Sequence, residues 1–406
     1  MDERSLTKLL APEGWALLSQ LPPYSEEAAL RISTGLHERG MDPDLVAAAL
    51  TQSRLRARAV GKFGDFAAGM LFTPAGLEQA TRLSVAAHHA RRYADAGATL
   101  VADLGCGLGG DAMALSALGV PVLAVEADEA TAALATVNLR FFPSATVRHA
   151  DAMTLDLAAE GVDAVFADPA RRTRGGRRVF DPGAYTPPLD AVLALRADVP
   201  ALGMKVAPGI PYSFLPGDAH AQWVSVDGDV VEAGLWFGPL APEGPGRSAL
   251  VLAGDDAHVL TESEQVRGTP AGAPDAPARS AVVREVGEYL YEPDGAVIRA
   301  GLVARVAEDL DAGVVSEDIA YLTGDTLTPT PFARAYRVQD HFVFSLKRLR
   351  AYLRERDVGR VEIKKRGTAV EPEQLRRQLS LKGSAAATVV LTRLGGRQSV
   401  VVVERV

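Results

Sequence analysis

The segment VADLGCGLGGDAMAL, residues 101–115, constrains the fold of this chain more than any other segment. A short apolar run is followed by a loop that contains four glycines, and a run with the composition of a helix follows the loop. Glycines at this position allow a tight turn and let the backbone approach a bound nucleotide closely. The segment therefore predicts the first strand–loop–helix unit of a Rossmann-like α/β sheet.

Short apolar segments continue to alternate with helical segments after this loop. VPVLAVEAD, ATVRHADA and VDAVFADP are rich in valine and alanine, and helical segments separate them. Strands of this kind pair in parallel and are covered by helices on both faces. The segment PALGMKVAP and the apolar segments that follow it are expected to complete the sheet.

The rest of the chain divides by composition into helical and mixed regions. Ser25 and Asp42 are expected helix N-caps, with Pro43 at a first helical position, and residues 76–95 are expected to form one helix. Residues 262–281 are rich in Pro, Gly and Ala, as in a linker, and strands mix with helices after them. The predicted division is an N-terminal helical region at 1–95, an α/β cofactor-binding domain at 96–255, a linker at 256–281 and a C-terminal α+β domain at 282–406.

Several classes of protein are not supported by the sequence. The 406 residues include no apolar run of about 18 residues, which a membrane-spanning helix needs, and the N-terminal segment lacks the apolar core of a secretory signal. No spacing of His, Cys and Asp resembles a metal site. The single cysteine, Cys106, is expected to pack rather than to react, because no partner base is apparent. We therefore expect a cytoplasmic protein without a bound metal.

Charge is distributed unevenly along the chain. The formal net charge is −8, but residues 341–406 carry 15 Lys and Arg against 6 Asp and Glu. A basic C-terminal segment on an acidic body predicts a polyanionic partner, although a solvated charged surface has the same composition.

The glycine loop fits two cofactors by its spacing. Gly105, Gly107 and Gly110 match the G-x-G-x-x-G motif of dinucleotide-binding proteins. Gly105, Gly107 and Gly109 equally match the G-x-G-x-G loop of methyltransferases that use S-adenosylmethionine. Glu126 follows the next strand, where either cofactor offers its ribose hydroxyls.

Charge favours the second cofactor. Asp103 precedes the loop and Asp111 begins the next helix, and a like-charge contact with a pyrophosphate at about 4 Å costs on the order of 1–4 kcal/mol. S-adenosylmethionine carries a sulfonium and an ammonium instead, which carboxylates attract. Asp151, followed by Ala152, comes after the third strand, where its carboxylate is expected to accept a hydrogen bond from the adenine amino group or to cap a helix.

The end of the fourth strand resembles a known family. VDAVFADPARR is similar to the Asp/Asn-Pro-Pro-aromatic motif of class I methyltransferases that methylate amines. The resemblance implies that Asp168 and Pro169 are catalytic, with Asp168 accepting a hydrogen bond from the target amine and orienting its lone pair toward the methyl group. Ala170 and Arg171 stand where the family has a proline and an aromatic residue, which leaves the target base open.

A basic run follows this motif. Arg171, Arg172 and Arg174 begin a group of five arginines within residues 171–178. A basic loop at the mouth of the site suits a substrate with a polyanionic backbone. A surface loop paired with local acids is the alternative.

Two further segments resemble the same family. Residues 62–92 are similar to the segment before the glycine loop in bacterial methyltransferases with a C-terminal THUMP-like domain, and more distantly to cap guanine-N2 (trimethylguanosine) methyltransferases. This resemblance implies Phe72 and Thr73 as cofactor contacts, with core packing and helix capping as alternatives. The segment VGRVEIKKRGTAV resembles the THUMP-like domain itself, in which strand alternation sets Lys364 and Arg366 on one face. The residues expected to face RNA are Arg360, Lys364, Lys365, Arg366, Arg376 and Arg377.

These features together predict an S-adenosylmethionine-dependent methyltransferase that methylates an exocyclic amine of a base in RNA (tRNA or rRNA). A methyltransferase for an acidic small molecule or a protein stays open. So does a non-catalytic RNA-binding protein with a vestigial cofactor fold. A nicotinamide-dependent oxidoreductase fits the charges less well.

Overall fold

A computed structural model of the chain describes residues 3–170, 181–262 and 281–406. The described residues form two compact units, one within Met1–Ala207 and Leu235–Pro242 and the other within Pro208–Gly234 and Glu243–Val406. None of the helices in these ranges is both long and apolar enough to cross a membrane.

The first unit begins with six helices. The helices are α1 (Glu3–Leu10), α2 (Pro12–Gln20), α3 (Glu26–Glu38), α4 (Pro43–Phe63), α5 (Pro74–Gln79) and α6 (Leu83–Asp95). The predicted caps are confirmed, because Ser25 Oγ accepts the Ala28 N–H at 3.2 Å and Asp42 Oδ1 accepts the Asp44 N–H at 2.9 Å. Pro43 occupies the first turn of α4, where its missing N–H has no partner to lose.

The single helix predicted at 76–95 is wrong, because the chain breaks between α5 and α6. Ala80 has an extended backbone with ψ of 137°, and the buried Thr81 follows it. Ala87 is exposed to solvent, whereas His89 and Tyr93, whose side chains carry polar groups, are buried. This break sets Thr81 inside the unit, next to the candidate site described below.

The central part of the first unit is a parallel sheet. Its elements are β1 (Val101–Leu104), α7 (Gly110–Ala117), β2 (Val122–Glu126), α8 (Glu129–Asn138), β3 (Ala145–His149), β4 (Ala164–Ala167), α9 (Leu189–Ala194) and β5 (Ala201–Val206). The strand order is β3-β2-β1-β4-β5, and all four pairings are parallel. Leu104 lies opposite both Val125 and Ala167, so β1, β2 and β4 end at one edge. The predicted Rossmann-like α/β sheet is confirmed.

The second unit contains the next four strands, β6 (His220–Val226), β7 (Asp229–Trp236, whose last two residues belong to the first unit), β8 (Gly246–Ala253) and β9 (Asp256–Thr261). Strand β9 pairs antiparallel with β8, starting from Asp256 opposite Ala253. The predicted linker at 256–281 is therefore wrong over β9, because a tight turn returns the chain into the sheet. The remainder of that linker, residues 263–280, lies outside the described residues.

The rest of the second unit is a mixed sheet with helices. Its elements are β10 (Tyr289–Pro293), α10 (Gly295–Arg299), α11 (Val303–Asp309), β11 (Gly313–Ser316), β12 (Ile319–Gly324), β13 (Ala333–Val343), α12 (Leu346–Glu355), β14 (Val358–Lys365), α13 (Pro372–Leu379), β15 (Ala385–Leu394) and β16 (Arg397–Arg405). The strand order is β11-β12-β10-β13-β16-β15-β14. The predicted C-terminal α+β architecture is confirmed. Because α10 packs against β6 and β8, these strands belong to the second unit and not to the predicted domain at 96–255.

Candidate active site

The glycine loop forms a tight turn between β1 and α7. Gly105, Gly107 and Gly109 have φ of +84°, +55° and +84°, values that residues with a Cβ atom rarely adopt. A Cβ atom on Gly105 would lie 3.1 Å from the carbonyl oxygen of Asp168. The loop therefore passes directly beside the end of β4 and requires glycine for both conformation and space.

Glu126 lies at the end of β2 and holds this loop. Its Oε2 accepts the N–H of Gly107 at 3.0 Å and its Oε1 accepts the N–H of Asp128 at 2.9 Å. Each carboxylate oxygen keeps a further lone pair, which could accept a ribose hydroxyl. Asp151 is exposed and caps a 3-10 turn that begins at Ala152, since its Oδ1 accepts the Met153 N–H at 3.0 Å. The capping role and the predicted adenine contact are compatible, because the other carboxylate oxygen has no partner in the described ranges.

Asp103 is a buried carboxylate with an unpartnered oxygen. Only 1% of the residue is exposed, and Oδ2 has no hydrogen-bond donor among the described residues. Burial raises the pKa of Asp103 well above its usual range, and the neighbouring carboxylates Asp111 and Asp168 raise it further. A buried acceptor without a donor beside a glycine loop fits a ligand that brings a cationic N–H donor.

Asp111, at the start of α7, forms a buried contact with a histidine of α6. His89 Nδ1 lies 2.8 Å from Asp111 Oδ1, and both side chains are buried. Burial tends to raise the pKa of Asp111, but the hydrogen bond and charge of His89 hold it below its usual value. Both carboxylates that favoured a methyl-donor cofactor are therefore buried, and Asp111 is part of an internal pair.

Asp168 emerges from β4 beside the loop and is paired with a lysine. Lys205 Nζ, in β5, donates to Asp168 Oδ2 at 2.7 Å and to Thr81 Oγ1 at 2.9 Å. The Lys205 side chain is only 4% exposed, whereas that of Asp168 is 26% exposed. Oδ1 of Asp168 accepts no hydrogen bond from the described residues, so one oxygen is held and the other is left for a ligand. The next residue, Pro169, is buried.

Sequence analysis missed Lys205, Thr81 and His89 as site residues. One signal was present, because Lys205 interrupts the apolar run ALGMKVAP close to the carboxyl end of a predicted strand. A lysine is rarely buried unless it is paired. Its partner could not be named, since Thr81 is 124 positions away from Lys205.

Phe72 and Thr73 lie in the segment before the glycine loop. Phe72 is completely buried, its ring centroid is 5.6 Å from that of Phe63, and its N–H donates to Gln52 Oε1 at 2.9 Å. Phe72 therefore packs in the core, which the sequence left open as the alternative, and its cofactor contact stays a prediction. Thr73 caps α5, with Oγ1 accepting the Gly76 N–H at 2.9 Å, and its cofactor contact stays a prediction. Burial raises the pKa of the Cys106 thiol, which suits a packed residue rather than a nucleophile.

The basic residues predicted to face RNA have different surroundings. Lys364 Nζ donates to Glu292 Oε2 at 2.8 Å and Arg366 donates to the carbonyl of Ala320, so both are engaged inside the second unit. This differs from the prediction, because both side chains are half-buried and each has a partner within the second unit. Lys365 pairs with Glu371 at the surface at 2.7 Å, and Arg360 is exposed.

Arg171, Arg172 and Arg174 lie outside the described residues. Within residues 3–170, 181–262 and 281–406 there is no cluster of three or more potential metal ligands.

Comparisons with known proteins identify the family. Residues 102–170 match the family model of a methyltransferase domain, residues 333–405 that of a THUMP domain-like region, and residues 2–59 that of a domain of unknown function (DUF8688). An uncharacterised S-adenosylmethionine-dependent methyltransferase of Mycobacterium tuberculosis, found in strains CDC 1551 / Oshkosh and H37Rv, is 36% identical over 351 residues. The alignment covers 84% of this chain and 91% of the relative. The chain belongs to the S-adenosylmethionine-dependent methyltransferases.

The fold is shared with a solved structure. The crystal structure of a proposed methyltransferase from Porphyromonas gingivalis W83 has a TM-score of 0.71 at 20% identity, covering 95% of this chain and 99% of that one. The methyltransferase and its S-adenosylmethionine cofactor, as inferred from the glycine loop, are confirmed by the family. The unpartnered Asp103 oxygen, the left-handed glycine loop and Glu126 fit this cofactor.

Proposed function

We propose that this methyltransferase methylates an exocyclic amine of a base in RNA. The observation that carries the proposal is the position of Asp168 beside the cofactor loop. A Cβ atom added to Gly105 would lie 3.1 Å from the backbone carbonyl oxygen of Asp168. A carboxylate beside the cofactor loop can accept a hydrogen bond from a substrate N–H. Such a bond fixes the orientation of the nitrogen lone pair, which is the main requirement of an in-line methyl transfer.

The two carboxylate oxygens of Asp168 have different roles in this proposal. Lys205 donates to Oδ2 and thereby fixes the plane of the carboxylate. Oδ1 would then accept the amine N–H, with Pro169 restricting the backbone that follows. S-adenosylmethionine supplies the methyl group. We propose that Asp103, Gly105, Gly107, Gly109, Glu126, Asp151 and Ala152 hold this cofactor.

RNA as the substrate is supported by the THUMP-like match and by exposed basic residues. Helix α12 exposes Lys347, Arg348 and Arg354, and the neighbouring α13 exposes Arg377. Clustered Lys and Arg side chains neutralise backbone phosphates and supply much of the affinity for nucleic acid. Together with Arg360, these residues replace Lys364 and Arg366 in the proposed RNA-binding surface. A cytoplasmic location, where RNA is available, is part of the same proposal.

Methyl transfer to RNA tests the proposal directly. Unmodified total RNA would be incubated with the enzyme and S-adenosylmethionine carrying a labelled methyl group, and the nucleosides would then be separated. We expect label in an N-methylated guanosine or adenosine. The Asp168→Ala variant should lose this label while it binds S-adenosylhomocysteine like the wild type.

Two outcomes would contradict the proposal in different ways. Near-normal turnover of Asp168→Ala on RNA would remove Asp168 from the reaction. Label that appears only in an acidic small molecule or in protein would keep the reaction and change the substrate. The salt dependence of substrate affinity supports the distinction, because several phosphate contacts give a steep log–log slope and one carboxylate gives a shallow slope.

A further inference from the structure

A cluster of arginines and aromatic rings lies in the first unit. It consists of Trp15, Arg56, Arg140 and Phe141, and is called the Trp15 cluster below. The guanidinium carbons of Arg56 and Arg140 lie 5.8 and 5.0 Å from the centroid of the Trp15 ring. The Arg140 guanidinium also lies 4.1 Å from the centroid of Phe141.

The two guanidinium groups of this cluster have no acidic partner. Neither Arg56 nor Arg140 forms an ion pair with a carboxylate in the part of the chain that the structure describes. Burial lowers the pKa of Arg56 to about 10, and repulsion by Arg140 contributes to this shift. Both groups remain cationic at neutral pH. Two like charges that share one ring without a counterion form a local excess of positive charge.

Most N–H donors of these arginines also have no acceptor among the described residues. Arg56 Nε donates to the carbonyl of Met70 at 2.8 Å, and Arg140 Nη1 donates to the carbonyls of Gly69 and Val137 at 3.0 and 2.7 Å. A guanidinium carries five N–H donors. The backbone contacts therefore hold each group in place and leave donors for an anion.

One aromatic member of the cluster, Phe141, is exposed to solvent, whereas Trp15 is half-buried. Phe141 is 72% exposed, although it is a large apolar side chain. Exposed aromatic rings beside arginines are the combination that binds single-stranded nucleic acid, because bases stack on the rings and phosphates pair with the guanidiniums.

We propose that the Trp15 cluster binds single-stranded RNA, with Arg56 and Arg140 on a backbone phosphate and Phe141 stacked on an adjacent base. The proposal rests on RNA being the substrate and adds a binding site outside the active site. It also gives a role to the region that matches the domain of unknown function, since Trp15 and Arg56 come from residues 2–59. Arg140 and Phe141 come from residues 102–170.

Binding of a fluorescent oligouridylate to the full chain, measured by anisotropy over a range of salt concentrations, tests this site. Arg140→Gln should weaken binding about fivefold or more and reduce the log–log salt slope by about 0.7, the value for one phosphate contact on a single strand. Phe141→Ala should weaken binding about fivefold or more and leave the slope unchanged, because stacking releases no counterions. Arg58→Gln is the matched control, since Arg58 is exposed on the same helix as Arg56, removes the same charge and should change affinity less than twofold.

The outcomes separate this site from the other possibilities. Equal affinities for Arg140→Gln and Arg58→Gln would overturn the proposal. Loss of binding in Arg140→Gln with no effect of Phe141→Ala, together with full competition by inorganic polyphosphate, would also overturn it in favour of a site for simple anions. RNA binding that depends on the Trp15 cluster without any RNA methylation would refute the proposed function alone.

Discussion

Lys205 Nζ lies 2.7 Å from Asp168 Oδ2, and this contact joins the ends of two neighbouring strands of the parallel sheet. Lys205 also donates a hydrogen bond to Thr81, which lies in the break between α5 and α6. The carboxylate that faces the candidate substrate position is thus anchored to the buried interior. An anchored carboxylate presents one oxygen in a fixed direction, which a freely rotating side chain does not.

Removal of the anchor should impair methyl transfer more than cofactor binding. In Lys205→Met the Asp168 carboxylate loses its counterion and can rotate, and a displaced reacting group costs about 100-fold in rate. We expect kcat for methyl transfer to fall by about that factor, and S-adenosylhomocysteine affinity by calorimetry to change little.

Thr81→Val is the matched control for this substitution. It removes the second hydrogen bond of Lys205 and keeps the ion pair with Asp168, so its loss of kcat should be much smaller. If Thr81→Val and Lys205→Met reduce kcat equally, with equal losses of thermal stability, Lys205 is only a structural residue.

Asp103→Asn should increase stability and weaken cofactor binding. The folded-state pKa of Asp103 is raised above the pKa of an ordinary aspartate. The ionised carboxylate therefore destabilises the folded state once the pH rises above that ordinary pKa. The amide removes this effect, and we expect Tm at pH 7 to rise by about 1–3 °C. S-adenosylmethionine should bind about tenfold more weakly, since a charge-assisted hydrogen bond to its ammonium is lost.

The pH dependence of binding gives this prediction a second measurement. A cationic ligand favours ionised Asp103, so wild-type affinity should increase with pH until the group is fully ionised, and Asp103→Asn should lack this increase. Asp111→Asn is the contrasting variant, because Asp111 pairs with His89 and loss of the Asp111 charge should lower Tm. A lower Tm in Asp103→Asn would show that its charge is compensated in the folded state.

The sequence predicted the parts of the site that depend on local motifs. The glycine loop and Asp168 each directly follow a strand and Glu126 is the last residue of one, so chain order alone places them at one sheet edge. Lys205 and Thr81 meet only through the tertiary fold, and no local pattern connects them. Strand alternation likewise grouped Lys364 with Arg366, but it did not indicate that Glu292, in a distant strand, pairs with Lys364. Motif position was predictable, and the pairing of buried charges was not.

The two kinds of basic residue in the second unit should respond differently to substitution. Lys364→Met removes a half-buried partner of Glu292 and should lower the free energy of unfolding, with little change in the salt dependence of RNA binding. Arg360→Gln and Arg377→Gln change exposed charges and should each reduce the log–log slope for single-stranded RNA by about 0.7. Chemical denaturation and anisotropy titrations measure the two effects separately. A reduced slope for folded Lys364→Met would contradict this division.

The ion pair between Glu292 and Lys364 should make the stability of the second unit depend on acid pH. Burial opposes ionisation of Glu292, but the hydrogen bond and charge of Lys364 hold its pKa below the usual value. The contribution of the ionised group is therefore complete above its unfolded-state pKa of about 4.3 and is lost as pH falls through the lower folded-state pKa. We expect the difference in unfolding free energy between the wild type and Glu292→Gln to be largest near pH 7 and to shrink below about pH 4. Glu371→Gln is the control, because its pair with Lys365 is at the surface and contributes about 0–1 kcal/mol. A difference for Glu292→Gln that is as small as that of the control at pH 7 would mean that the cost of burying the pair cancels its attraction.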